Sequence, residues 1–353
     1  MRSQVPFSRK ARGKSVQQQK TERIAEKPAE RETEKAKKDI SETAGSGESR
    51  YIIPQNENFV NTAVVDELTT RVESWIKAGY PVHLIGPTGC GKTSLALHVA
   101  KRIGRPVVWI NRDEAITTKD LVGGYFQVKK ETLVDNFVHN VSKKTDIINP
   151  EWADNPLTTA CRNGYTLVYN EFSRTRPIAN NVFLSIFEEG ILELPAKNGQ
   201  DRYVMVNPEF RAILTSNSVE YSGVHRPQDA LLDRIISIHM DYYDFETEVD
   251  IVCKQTGVRE EDARRIVTVV RKIREKMELA LKPGTRACIM AGRFLKTLEN
   301  EKEVPLEQLL TDVIAAKVSS YQDLEIKQKI VKEALAEIEK NSLSQKGVQP
   351  GEA

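Results

Sequence analysis

The sequence predicts an α/β protein: a five-stranded parallel sheet with helices on both faces, followed by an all-helical lobe. Three observations carry this. Five short apolar, β-rich runs are separated mostly by stretches with helical spacing, the pattern of a sheet buried on both faces. A glycine-rich turn joins the first run directly to a helix. Beyond Tyr243 the strand signals stop and only helical spacing continues.

Taken in order, Thr62 to Ala78 has the spacing of an amphipathic helix, with Val64, Leu68, Val72, Trp75 and Ile76 on one face. Pro81 to Ile85 is a buried strand ending at Gly86, and Thr93 to Ile103 is the helix that follows. Pro106 to Ile110, Tyr165 to Tyr169, Arg211 to Ser216 and Ile235 to His239 supply the other four strands. Pro177 to Glu189 is helical. The helical lobe comprises 246–255, 260–281, 287–298, 306–318 and 324–340. The expected organisation is a tail at 1–50, an α/β domain at 51–243, a helical lid at 244–340 and a polar tail at 341–353.

Composition narrows the function classes. The 353 residues carry 52 Lys+Arg against 50 Asp+Glu, so no global imbalance points to nucleic acid or a membrane surface. No apolar run approaches the roughly 18 residues of a membrane span. Cys90, Cys161, Cys253 and Cys288 are scattered without C-x-x-C or zinc spacing. The five His show no metal spacing either. Residues 1–50 differ from the rest, with 13 Lys/Arg against 8 Asp/Glu and few large apolar residues. Such a segment cannot bury enough surface to offset chain entropy and is expected to be disordered. Its first acid is Glu22, so it is either a basic arm for an anionic partner or a solvated extension. It has neither the apolar region of a secretory signal nor the amphipathic stripe of a transit peptide.

The chemistry begins at Gly86-Pro87-Thr88-Gly89-Cys90-Gly91-Lys92-Thr93, which matches G-x-x-x-x-G-K-[ST]. In this loop glycines let successive N–H groups aim at phosphate oxygens, and the helix that follows adds the positive end of its dipole. Lys92 reaches the β and γ phosphates and Thr93 binds Mg²⁺. Cys90 occupies a free position in the motif. A second element, Leu167-Val168-Tyr169-Asn170-Glu171, ends another strand. P-loop NTPases usually have Asp at the first of its two polar positions, holding Mg²⁺ through water. Asn170 keeps an oxygen acceptor there but brings no charge, which predicts weaker Mg²⁺ binding or slower turnover. Glu171 is the candidate general base, or else a cap for the next helix. Thus ATP with Mg²⁺ is the expected ligand.

These residues, together with the helical lobe, resemble AAA+ ATPases of the MoxR-like branch. Asp120-Leu121-Val122-Gly123-Gly124 is similar to that branch's segment between its second strand and helix insertion. Asn180 to Gly190 is similar to its helix leading to a hairpin. The stretch Leu167 to Glu189, with Phe172-Ser173-Arg174-Thr175-Arg176-Pro177, resembles the gas vesicle protein N family. Nitric-oxide-reductase and rubisco activators of the branch share much of the pattern. The resemblance implies Asn217 as sensor 1, Arg234 as an arginine finger (with Arg174 and Arg176 competing), and Arg286 as sensor 2. It implies a flexible aromatic segment from Gly123 to about Trp152. It also implies a hairpin from Gly190 to Leu194 and Tyr203 to Val206, turning at the Asn198-Gly199 pair. Both face a ring pore or partner in that branch; a plain surface hairpin is the alternative.

The implied function is an ATPase that assembles or remodels a protein partner. The implied partners are gas vesicle shell or accessory proteins, the assembly implied by the arginine finger is a ring, a hexamer, and the implied location is the cytoplasm at gas vesicles. Three alternatives stay open. One is an activator of another metalloenzyme. A second is a nucleotide-dependent switch that binds ATP and barely hydrolyses it. The third, a DNA-acting ATPase, is disfavoured because the chain outside the tail has net charge −3, from 39 basic and 42 acidic residues.

Overall fold

The computed structural model describes residues 59–111, 116–138, 141–194, 202–218, 225, 227–277, 282–298, 305–315 and 321–345. The expected basic tail at 1–50 and the hairpin turn at 198–199 lie outside them. The described residues fall within one contact unit, 51–353.

Helix α1 (Ala63–Lys77) starts where the Thr62 hydroxyl accepts a hydrogen bond from the Val65 amide, satisfying one orphan donor of the first turn. Its buried stripe is Val65, Thr69, Val72 and Ile76. This corrects the expected face: Val64 and Trp75 lie one residue, about 100°, off that stripe and are exposed. Strand β1 (Val82–Gly86) leads into α2 (Lys92–Ile103), and β2 (Val107–Asn111) follows.

Next come α3 (Thr118–Val122) and two long antiparallel strands, β3 (Gly123–Val138) and β4 (Val141–Asp154). The expectation here was a flexible segment at the site of a helix insertion. The finding is a two-stranded sheet, in keeping with the Val, Ile, Thr and aromatic content of both segments. Helix α4 (Pro156–Asn163) returns the chain to β5 (Thr166–Asn170). The expected helix from Pro177 to Glu189 is broken into α5 (Pro177–Asn180) and α6 (Val182–Glu188). Here Asn180 is buried with its amide donating to the Phe172 carbonyl at 3.2 Å, and the backbone tightens to i→i+3 bonds around Asn181.

Strands β6 (Ile191–Glu193) and β7 (Tyr203–Met205) form the expected antiparallel pair. The last core elements are β8 (Arg211–Asn217), α7 (Asp229–Leu232) and β9 (Ile236–His239). The five parallel strands lie in the order β2-β5-β8-β1-β9. Leu167, Tyr169, Ala212 and Leu214 enter one apolar cluster, while Val168 and Ile213 enter another with Leu84, Leu95 and Val99. Successive strand residues therefore bury on opposite faces, which is why the runs carry apolar residues at consecutive positions.

Helices α8 (Phe245–Thr256), α9 (Glu260–Lys276), α10 (Thr285–Leu298), α11 (Leu306–Ala315) and α12 (Tyr321–Gln345) pack around Val252, Ile266, Val270, Ile273, Cys288 and Leu310. The expected polar tail from 341 is helical through Gln345, since extending an existing helix costs far less than starting one.

Candidate functional site

The sheet register assembles the candidate residues. Gly86, the last residue of β1, is paired with Asn217, the last residue of β8. Asn111 and Asn170 pair likewise at the ends of β2 and β5. Three asparagines and Gly86, where the phosphate loop begins, therefore meet at the carboxyl edge of the sheet, where open α/β sheets place their ligands.

The phosphate loop turns through left-handed Gly89 and Gly91, with φ of 82° and 98°. An L side chain at either would be strained. Contacts press the loop on two sides. A Cβ at Gly284 would lie 2.7 Å from the Thr88 carbonyl and 2.9 Å from the Gly89 Cα, so Gly284 permits a backbone-to-backbone approach. The Tyr243 ring abuts Gly91.

Lys92 is buried at 8% exposure. Its ammonium donates to the Gly86 carbonyl at 3.0 Å, the Pro87 carbonyl at 2.8 Å and Asn217 Oδ1 at 3.1 Å. All three N–H bonds are thus directed. Burial pulls the ammonium below the usual lysine range, partly opposed by Cys90 and Glu171. Asn217 Nδ2 in turn donates to Glu171 Oε1 at 3.3 Å and Oε2 at 3.2 Å. One amide therefore bridges the cation and the carboxylate. Cys90 is fully buried, and burial raises its thiol pKa.

Glu171 is the one non-glycine residue with positive φ among the described residues, at 60°. That conformation costs about 1–2 kcal/mol for an L side chain. Neighbours hold it. Phe172 is fully buried, its ring 5.5 Å from Tyr169 and 5.6 Å from His83. The Glu171 amide donates to Thr215 Oγ1 at 3.3 Å. The carboxylate makes no helix-capping bond, so the capping alternative falls away. Arg174 Nε lies 3.0 Å from Glu171 Oε2, an ion pair not aligned as a hydrogen bond.

Asn170 Oδ1 accepts from Thr93 Oγ1 at 2.8 Å and Thr215 Oγ1 at 2.9 Å, and its Nδ2 donates to Asn111 Oδ1 at 3.0 Å. This is a cluster of neutral oxygen donors, a set suited to a hard divalent cation and its waters.

The other candidates sit apart. Arg234 pairs with Glu188 and the Ala230 carbonyl, not with this cluster, its Nε 2.8 Å from Glu188 Oε2. Arg176 is exposed, two residues beyond Arg174 and just ahead of α5. Arg286, at the start of α10, lines a cleft of about 260 Å³ beside the phosphate loop. Phe59, His98, Gln255 and Ile289 also line it, and Phe59 stacks on His98 at 3.8 Å.

Sequence reasoning missed Asn111, Thr215 and this cleft. A polar residue ending an apolar strand was available as a signal for Asn111, whereas Thr215 lies inside β8, two residues before its end. The cleft combines residues about 230 positions apart, from Phe59 to Ile289, and had no local signal.

Comparison with known proteins places this geometry. Residues 81–235 match the AAA domain of the dynein-related subfamily. Over 334 residues the chain is 47% identical to Gas vesicle ATPase GvpN2 of Halobacterium salinarum, covering 94% of this chain and 96% of that one. It is 52% identical to Gas vesicle ATPase GvpN1 of the same organism, over 81% of this chain and 82% of that one. Protein CbbQ of Hydrogenophilus thermoluteolus is 27% identical over 66% of this chain and 80% of its own. With a phosphate loop at the head of an α/β sheet, and this degree of identity over nearly the whole length, the chain belongs to the gas vesicle ATPase GvpN family of AAA+ ATPases.

Proposed function

We propose that this ATPase couples ATP hydrolysis to the assembly or remodelling of a protein partner during gas vesicle formation and growth. The observation that carries the reading is the continuous chain Lys92–Asn217–Glu171 at the mouth of the phosphate loop. It sets a cation, an amide and a carboxylate where a γ-phosphate and an attacking water would meet. In this reading Gly86 to Thr93 cradle the phosphates, Lys92 neutralises charge on the transferring phosphoryl, Glu171 takes the proton of the water, and Asn217 orients it. Arg286 contacts the γ-phosphate from the helical lid. The division between an α/β domain at 51–243 and a lid at 244–340 supplies the moving parts.

Thr93 and Asn170 would hold Mg²⁺, directly and through water, where it screens the triphosphate charge. Arg234 would complete the pocket of a neighbouring subunit in a homo-oligomeric ring, a hexamer in this proposal. Within the subunit its guanidinium pairs with Glu188, a contact it would exchange for the neighbour's nucleotide. The partners are gas vesicle shell or accessory proteins, with the enzyme cytoplasmic and associated with the vesicles. Among the described residues no helix is long and apolar enough to cross a membrane.

Pull-down with Glu171→Gln in the presence of ATP tests the proposal. The variant should hold its partner and recover a vesicle shell component, whereas recovery of a different enzyme complex would assign the chain to an activator role.

A second reading, a slow nucleotide-dependent switch, is favoured by the uncharged Asn170. Asn170→Asp separates the two. An added carboxylate is expected to lower the Mg²⁺ concentration for half-maximal turnover by about tenfold, within the range of metal-site partner effects. Asn111 must reverse its amide to donate to the new oxygen. Titrating phosphate release against Mg²⁺ reads this directly. A wild type that binds ATP with Mg²⁺ yet releases no phosphate would favour the switch.

A further inference from the structure

Glu248 is fully buried in α8 and accepts four hydrogen bonds. They come from Arg271 Nη1 at 3.0 Å, Arg274 Nη1 at 3.2 Å, Arg274 Nη2 at 2.8 Å and Thr285 Oγ1 at 2.8 Å. Its two donors from α9 also hold backbone at both sides of the phosphate loop. Arg274 Nε donates to the Pro283 carbonyl at 2.9 Å, and Arg271 Nη1 donates to the Tyr243 carbonyl at 3.1 Å. The Arg274 guanidinium lies 3.8 Å over the Tyr242 ring, whose hydroxyl donates to the Thr88 carbonyl at 3.5 Å. Gly284, between Pro283 and Thr285, touches Gly89. One carboxylate therefore ties together three helices of the lobe, the turn that presents Arg286, and the two aromatic residues flanking the phosphate loop.

Such a group does more than hold helices together. A buried carboxylate facing two guanidiniums is weak evidence of stability, because desolvation opposes the attraction. It does fix geometry, since each planar guanidinium aims its N–H groups in fixed directions at several acceptors at once. We infer that Glu248, with Arg271, Arg274 and Thr285, is a positioning unit that sets the Pro283–Arg286 turn against the phosphate loop, so that the lobe distinguishes ATP from ADP. None of the four need touch nucleotide phosphate; they act through Arg286. The inference rests on Arg286 being the lobe's γ-phosphate contact.

Because Glu248→Gln removes half of a buried charge pair and threatens the fold, Thr285→Val carries the test. It deletes one hydroxyl and keeps the shape. The expected result is turnover at saturating ATP lowered by about fivefold or more, the low end of coupling effects. The ratio of ATP to ADP affinity should fall by a similar factor with ADP affinity unchanged, while the melting temperature drops by only the few degrees that one lost buried hydrogen bond accounts for. Thr285→Ser, which keeps the hydroxyl, should restore both. A purely structural role would weaken ATP and ADP alike and leave their affinity ratio unchanged, which would overturn the inference. Arg286→Ala is the companion variant. If it lowers turnover and Thr285→Val does not, the positioning role fails while the Arg286 reading stands. If Arg286→Ala leaves turnover intact, the Arg286 reading itself is wrong and the inference falls with it.

Discussion

Glu171→Gln is expected to lower steady-state phosphate release by about 10²–10⁴-fold, the range for loss of a general base. ATP affinity should change little. The argument is local. Glutamine keeps the shape of the side chain and one oxygen to accept the Asn217 amide, now 3.2–3.3 Å from the carboxylate oxygens. It cannot take a proton from water. Nor can it pair with Arg174, whose guanidinium lies 3.0 Å from Oε2 and is left with its charge uncompensated. Both groups are about one-third exposed, so solvent screens that loss and the folded state should survive it. Stopped turnover with retained ATP binding, measured by phosphate release and equilibrium nucleotide binding, is the expected pair. Undiminished release would remove Glu171 from the chemistry and turn attention to a different acid.

Lys92→Ala is expected to cost about 10²–10³-fold in turnover, as for removal of one preorganised electrostatic contact, and to weaken ATP binding as well. It differs from Glu171→Gln in this second effect, because Lys92 meets phosphate before any chemistry. The fold should persist. Lys92 has only 8% exposure and its ammonium is satisfied by two carbonyls and an amide oxygen, not by a buried acid, so no opposite charge is stranded when it goes. A thermal-shift titration checks this. Nucleotide at a hundred times its dissociation constant stabilises a protein by about 2.7 kcal/mol. The wild type should show that ATP-dependent rise and the variant should lose most of it. An equal rise in both proteins would mean the triphosphate is held elsewhere.

The legible parts of the fold share a cause. Apart from β9, whose Ser237 and His239 are exposed, each core strand is largely apolar on both faces, so its identity is written in four or five consecutive residues; all five lie within one residue of the expected bounds. The phosphate loop was legible because its backbone needs glycine at Gly89 and Gly91 and a cation at Lys92. The illegible parts share a cause too. Val64 and Trp75 look like core on spacing, yet the neighbours of α1 select the adjacent stripe. The break at Asn181 follows from where the buried Asn180 amide finds its acceptor, the Phe172 carbonyl. The β3–β4 pair was obscured because its strands do not alternate cleanly between apolar and polar residues.

By itself, then, the sequence determined the strand–loop–helix that can cradle phosphate, the acid-bearing strand end at Asn170 and Glu171, and the five helices described after Tyr243. Those features depend on neighbours within a few positions of one another. Only the tertiary structure decided that Asn217 bridges Lys92 to Glu171, that Thr215 and Asn111 support Asn170, and that Glu248 binds the turn before Arg286. These depend on parallel-strand register and helix packing, which bring together residues from 23 to 125 positions apart. Such pairings are fixed by the burial of whole faces, and no short stretch of sequence records them.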